Sequence, residues 1–108
     1  AKPEWWNDEG LKAMSARVVR AAPNDVGANQ MRAVVLSGQS GGSWGAPDCS
    51  FRRSAAEFKE AATHFDRAAA LCSAPAGKAD LADNAKFCHG QAEAMFHPDY
   101  IPPSYVLE

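Results

Sequence analysis

The segment from Ser54 to Leu71, SAAEFKEAATHFDRAAAL, constrains the fold more than any other part of the chain. Phe58, Ala61, Phe65, Ala68 and Cys72 recur at steps of three and four, which places two rings and the small residues between them on one face of an α-helix. Such a face has to be buried. Alanines between rings let a second helix approach closely while the rings fill the flanking space, so the pattern predicts helix-on-helix packing. The opposite side, with Glu57, Lys59, Glu60, His64, Asp66 and Arg67, reads as solvated. The start of the helix is legible too. Ser54-Ala55-Ala56-Glu57 is a capping box in which each side chain satisfies the other's free amide, with Arg52 and Arg53 just outside it. An alternative start near Ser50 adds Phe51 to the buried face.

Three further helices follow from caps, breakers and spacing. Asn7 is the N-cap of the first, with Asp8 and Glu9 at the positive end of its dipole and Trp6 and Leu11 in the positions of a hydrophobic staple. Leu11, Met14, Val18 and Ala21 form its buried stripe, Lys12, Arg17 and Arg20 face out, and Pro23 ends it. Asn24 is expected to cap the second helix, whose apolar side is Val26, Met31, Val34 and Val35 and which closes at Ser37-Gly38. So short a connection makes the two helices antiparallel neighbours. The glycine-rich stretch from Gly38 to Cys49 is a loop, and Trp44 within it either pins the loop to the helices or meets a partner. Ser73 to Gly77 is expected to form a turn, and a fourth helix runs from about Lys78 with Leu81, Ala85, Cys88, Ala92 and Met95 on one stripe, limited by Pro98. The domain thus covers residues 1–97, and residues 98–108 form an extended, proline-rich tail.

The spacing Phe58, Ala61, Phe65, Ala68 resembles the second-helix signature of a tetratricopeptide repeat: aromatic, small, aromatic, small. Ala22-Pro23-Asn24-Asp25 is similar to the turn that ends one such repeat and opens the next, and Ala33 and Leu36 stand near the family's small and aromatic first-helix positions. Pro23 and Pro75 are 52 residues apart, so the glycine-rich loop is an insertion within the central hairpin of a 34-residue period. The resemblance spans about Asn7 to Phe96. It implies a tetratricopeptide-like all-α fold of two antiparallel helix hairpins, and a curved surface that holds peptides or partner proteins. Two hairpins are fewer than the three repeats solenoids usually need, so one end of the array is expected to want a cover.

Charge and composition exclude several other classes. A net charge of -2 over 108 residues, with no Lys/Arg run, provides no footprint for nucleic acid or an anionic membrane. No window approaches the roughly 18 consecutive apolar residues of a membrane span. Much of the 46% hydrophobic content is alanine, so stability has to come from close packing. Cys49, Cys72 and Cys88 cannot all pair within one chain and form no C-x-x-C, and Cys72 and Cys88 fall on predicted buried faces; this favours a reducing compartment such as the cytoplasm. The chain opens on Ala1 rather than a methionine, as a processed or excised piece does, and Leu107-Glu108 reads as an appended remnant.

Chemistry-bearing motifs are few. Gly38-Gln39-Ser40-Gly41-Gly42 matches the G-x-S-x-G elbow and is similar to the G-D-S-G-G of chymotrypsin-like proteases, but an elbow needs a helix directly after the serine, and Gly42, Gly45 and Pro47 follow. A serine hydrolase fragment using Ser40, with His64, His89 or His97 as base, is therefore the least favoured reading. Zinc ligation by the cysteines and histidines lacks the usual tight ligand pairs, since the adjacent side chains of Cys88 and His89 diverge on a helix. No cofactor is expected. Pro102-Pro103-Ser104-Tyr105 is a P-P-x-Y of the kind that WW domains read. The expected function is a non-enzymatic interaction module or scaffold, or alternatively a structural subunit of a larger assembly. Its partner anchors are the rings and prolines outside the helical stripes: Trp5, Trp6, Trp44, Tyr100, Pro102, Pro103 and Tyr105.

Overall fold

A computed structural model describes residues 7–38 and 53–95. They form four α-helices and no strand: α1 (Asp8–Ala21), α2 (Val26–Leu36), α3 (Ala55–Leu71) and α4 (Pro75–Ala94). Each helix packs on the next in the chain. None of the four is long and apolar enough to cross a membrane.

The caps explain most of the boundaries. Asn7 accepts from the Gly10 amide at 2.8 Å, as expected for the start of α1. Ser54 and Glu57 form the reciprocal capping box of α3. Two starts differ from the sequence expectation. Asp25, not Asn24, caps α2, its Oδ2 accepting from the Ala28 amide at 2.8 Å. α4 begins at Pro75 rather than near Lys78, with Pro75 in the first turn, where its missing N–H would have had no intrahelical partner. Gly77 is therefore helical. It lies where a Cβ would stand 3.1 Å from Cys72 Sγ, so the close approach of the α3 C-cap accounts for this glycine better than a turn does. At the end of α2, Gly38 adopts φ 76°, and its N–H donates to the Val35 carbonyl at 3.1 Å, the left-handed residue that glycine supplies without strain.

The core is centred on α3. Phe58 and Phe65 are buried together with Ala61 and Ala68 as the spacing predicts, and Ala62 and Ala69 join them. The buried sector is wider than one stripe because α3 packs on two neighbours, α2 through Ala33 and Leu36 and α4 through Leu81, Ala85, Cys88 and Ala92. A second, smaller cluster of Leu11, Val35 and Met14 joins α1 to α2. α1 buries less than its stripe promised: Met14 and Val18 are half-buried and Ala21 is exposed. Cys72 is half-buried at the C-cap, and Cys88 is buried. Burial pushes the Cys88 thiol up to about 11, so it behaves as an apolar filler.

Polar contacts set the direction of the helices. Along α2 and α3, Asn29 meets His64, Arg32 meets Glu60, and the Val35 carbonyl meets Arg53; one number rises as the other falls, so the two run antiparallel. Between α1 and the start of α3, Asp8 pairs with Arg53 and Lys12 with Glu57, both numbers rising together. The side chain of Arg53, which the sequence places merely outside the capping box, is 0% exposed. It donates to the Val35 carbonyl from Nε at 3.2 Å and Nη2 at 2.9 Å, and to Asp8 from Nη1 at 2.7 Å and from Nη2. One guanidinium thus ties the N-terminus of α1, the C-terminus of α2 and the approach to α3.

Stability tests follow from this packing and from these ion pairs. Phe65→Ala empties a fully buried ring site whose alanine neighbours cannot collapse into it, and should cost about 3–5 kcal/mol in urea denaturation. Arg53→Met leaves the Val35 carbonyl with the Gly38 amide as a donor and leaves Asp8 partly in water, so the loss should lie near 2–3 kcal/mol, at the low end for broken buried pairs. The bond with Arg53 holds the Asp8 carboxyl below 3.8. Burial would raise Glu57, but Lys12 and the Ser54 amide outweigh it and hold Glu57 below 4.5. Both groups contribute stability that is present above those values and lost as pH falls through the lower native ones. The urea midpoint should therefore drop below about pH 4.5, and Asp8→Asn should flatten that decline.

Candidate functional site

The expected partner anchors, Trp5, Trp6, Trp44, Tyr100, Pro102, Pro103 and Tyr105, all lie outside the described residues, as do Ser40, Cys49 and His97. Within the described residues, the polar side chains gather in two places: a buried seam where α1, α2 and α3 meet, and an open hollow between α3 and α4.

The seam is built on Asn29, whose side chain is fully buried. Its amide nitrogen donates to the carbonyls of Pro23 and Asp25, both at 2.9 Å, which clamps the short connection between α1 and α2. With both donors used, Oδ1 is left as an acceptor facing His64 Nδ1 at 3.0 Å. His64 therefore carries its proton on Nδ1, and Nε2 faces Glu60 at 3.4 Å. Glu60 in turn accepts from Arg32 Nε at 3.3 Å, and Arg32 Nη1 donates to the Lys12 carbonyl at 2.8 Å and to Ser15 Oγ at 3.1 Å. His64 is thus half-buried in a network and not on a solvated face, which corrects the sequence expectation. The helical wheel placed it beside Glu60 and Arg67; only the approach of α2 turns that edge of the helix into an interior. Burial pushes the His64 imidazole below 6.5, Arg32 and Arg67 add to this, and Glu60 opposes it.

The hollow is a surface feature of about 200 Å³ lined by Lys59 of α3 and by His89, Ala92 and Glu93 of α4. Ala92 is buried and forms its floor, while Lys59, His89 and Glu93 are exposed around it. Asp66 accepts from or pairs with His89 Nε2 at 2.9 Å, which fixes the ring at one end. This is a shallow apolar base with a rim of both charge signs. The lining residues include no hydroxyl or thiol, and the Cys88 thiol beside His89 in sequence faces the core instead. Among the described residues no group of three or more His, Cys, Asp or Glu is placed to hold a metal ion.

No family model matches the chain, and comparison with curated proteins and with solved structures likewise finds no match.

Asn29, Arg32 and Arg53 went unread in the sequence, because each works across a helix interface that spacing along one helix does not reveal. The one available signal was an asparagine among the apolar positions of α2. Since the native value of His64 is depressed, its contribution to stability is complete above 6.5 and is lost progressively as the pH falls towards the native value. Denaturant midpoints should decline from about pH 6.5 downwards, and His64→Gln should remove that portion of the slope. The ring ¹⁵N shifts of His64 at pH 7.5 should report the Nδ1-protonated form; an Nε2-protonated ring would overturn the assignment of Asn29.

Proposed function

We propose that this chain is a non-enzymatic protein-interaction module with a tetratricopeptide-like arrangement: α1 with α2 and α3 with α4 as two antiparallel hairpins, separated by the inserted glycine-rich loop. The spacing of Phe58, Ala61, Phe65 and Ala68 supports this reading, as do the three- and four-residue connections within each pair. The observation that carries it is the hollow between α3 and α4, with its alanine floor and its rim of Lys59, His89 and Glu93. An extended peptide bearing an acidic and a basic side chain complements that rim, and the rings and prolines singled out in the sequence, Trp44 and Tyr105 among them, remain proposed further anchors. A second reading, a structural subunit of a larger assembly, is favoured by the small apolar contact of α1, which rests on Leu11, Val35 and Met14.

Light scattering and thermal unfolding of the purified chain separate the two. A receptor is monomeric and melts cooperatively alone; a subunit aggregates or melts near room temperature. For the receptor, peptides selected from a display library against the full chain should lose about tenfold in affinity on Lys59→Glu or Glu93→Lys, since reversing a rim charge replaces an attraction with a repulsion worth roughly 1.4 kcal/mol in total. Selected peptides indifferent to both reversals would place the binding surface elsewhere.

A further inference from the structure

α1 is held in place differently from the other three helices. α2, α3 and α4 share the larger apolar cluster, whereas α1 contributes Leu11 and Met14 to the small one around Val35. Its other buried residue is the polar Ser15, and beyond Ser15 no residue of α1 is fully buried. The remaining attachments are polar and fall in the first half of the helix. Asp8 pairs with Arg53, Lys12 Nζ lies 2.8 Å from Glu57, and the Lys12 carbonyl and Ser15 Oγ accept from Arg32 Nη1.

The connection to α2 is built to stay with α2 when α1 moves. Asn29 holds the carbonyls of Pro23 and Asp25, and Asp25 caps α2 through the Ala28 amide. These bonds lie within α2 and its own lead-in, so none of them needs α1. Pro23 has no N–H to add to the connection, where the Asp25 amide donates to the Ala22 carbonyl at 3.2 Å.

The charges around the first half of α1 balance only while its carboxylate partners are ionised. Asp8 is faced by Arg53 and by Lys12 of its own helix, at 3.7 Å. Glu57 is faced by Lys12 from α1 and by Ser54 from its own cap. α2 brings Arg32, which also holds Glu60, and Glu60 is shared with His64; Glu9 lies 3.9 Å from Lys12. Protonating Asp8 and Glu57 leaves Lys12, Arg32 and Arg53 gathered without them, so attraction gives way to repulsion. The larger cluster, of Phe, Leu, Ala and Cys88, holds no ion pair to lose in that step.

We propose that α1 is a latched flap: it swings off α2 about residues 22–25 as a unit, released when the Asp8 and Glu57 carboxylates are protonated, while α2–α4 stay folded. Open, it uncovers Val35 and Arg32, an apolar and cationic face of α2 that the closed chain hides. The device is independent of the interaction reading and stands whichever function the chain has. Native-state hydrogen exchange of the full chain, read as protection factors between about pH 7 and about pH 3, tests it. At neutral pH the amides of Met14 to Ala21 should exchange through an opening with a smaller urea dependence than that of Phe58 to Ala69. At about pH 3 the first set should lose its protection, since a released helix of 14 residues is marginal alone. The second set should keep its protection, and the Phe58 and Phe65 ring signals should stay in place. Asp8→Asn should cut the protection of α1 at least about tenfold at neutral pH and flatten its acid response. If that variant loses the Phe58 and Phe65 signals, exchange in the unmodified chain decides alone. Loss of both sets together in one acid transition overturns the proposal, and so does an α1 that keeps its protection at about pH 3.

Discussion

The structure depends on α3 being covered from two directions at once. Phe58 and Phe65 provide volume, and the alanines at 61, 62, 68 and 69 provide close approach, so α2 and α4 both settle against the same helix. A helix with one narrow stripe accepts one neighbour; widening the small-residue sector admits a second. Because alanine buries little area, the bulk of this core comes from the two rings with Leu36 and Leu81, and the alanines contribute by closeness.

Where apolar area is thin, at the junction of α1 with the others, polar groups take over the task of fixing register. Arg53 collects the buried Val35 carbonyl at the end of α2 and the acidic start of α1, and Lys12 reaches the same Glu57 that completes the capping box of α3. These bonds are directional, so they specify how the helices are aligned along their lengths, which Leu11 and Val35 alone would leave loose. Asn29 acts in the same way deeper in the seam. It holds the α1–α2 connection from below and presents its remaining acceptor to His64, so that short loop and the central helix are joined by a single side chain.

α3 and α4 each leave one large apolar side chain open to water, Leu71 at 38% and Phe87 at 47%. Among the described residues α4 ends the layered array, with a charged hollow on the side towards α3 and Phe87 on the side away from it.

The existence and type of all four helices were legible in the residues, because caps and three-to-four spacing are local properties: Ser54 with Glu57, Asn7 with Gly10, and Phe58 with Phe65 each act within a turn or two. Two starts were misread for local reasons of equal weight. Asn24 and Asp25 are both good caps, and Pro75 serves as readily for a first turn as for a break. The anchors proposed from the sequence, from Trp5 to Tyr105, fall outside the described residues, whereas Lys59, His89 and Glu93 draw together only because α3 and α4 lie side by side. The same is true of the buried Arg53 and the enclosed His64. A periodic pattern determines which side of a helix avoids water, and that much the residues decided by themselves. Which charged groups then become interior, and which meet across an interface, was decided only in the tertiary structure, since desolvation and hydrogen bonding depend on what the neighbouring helix brings within about 3 Å.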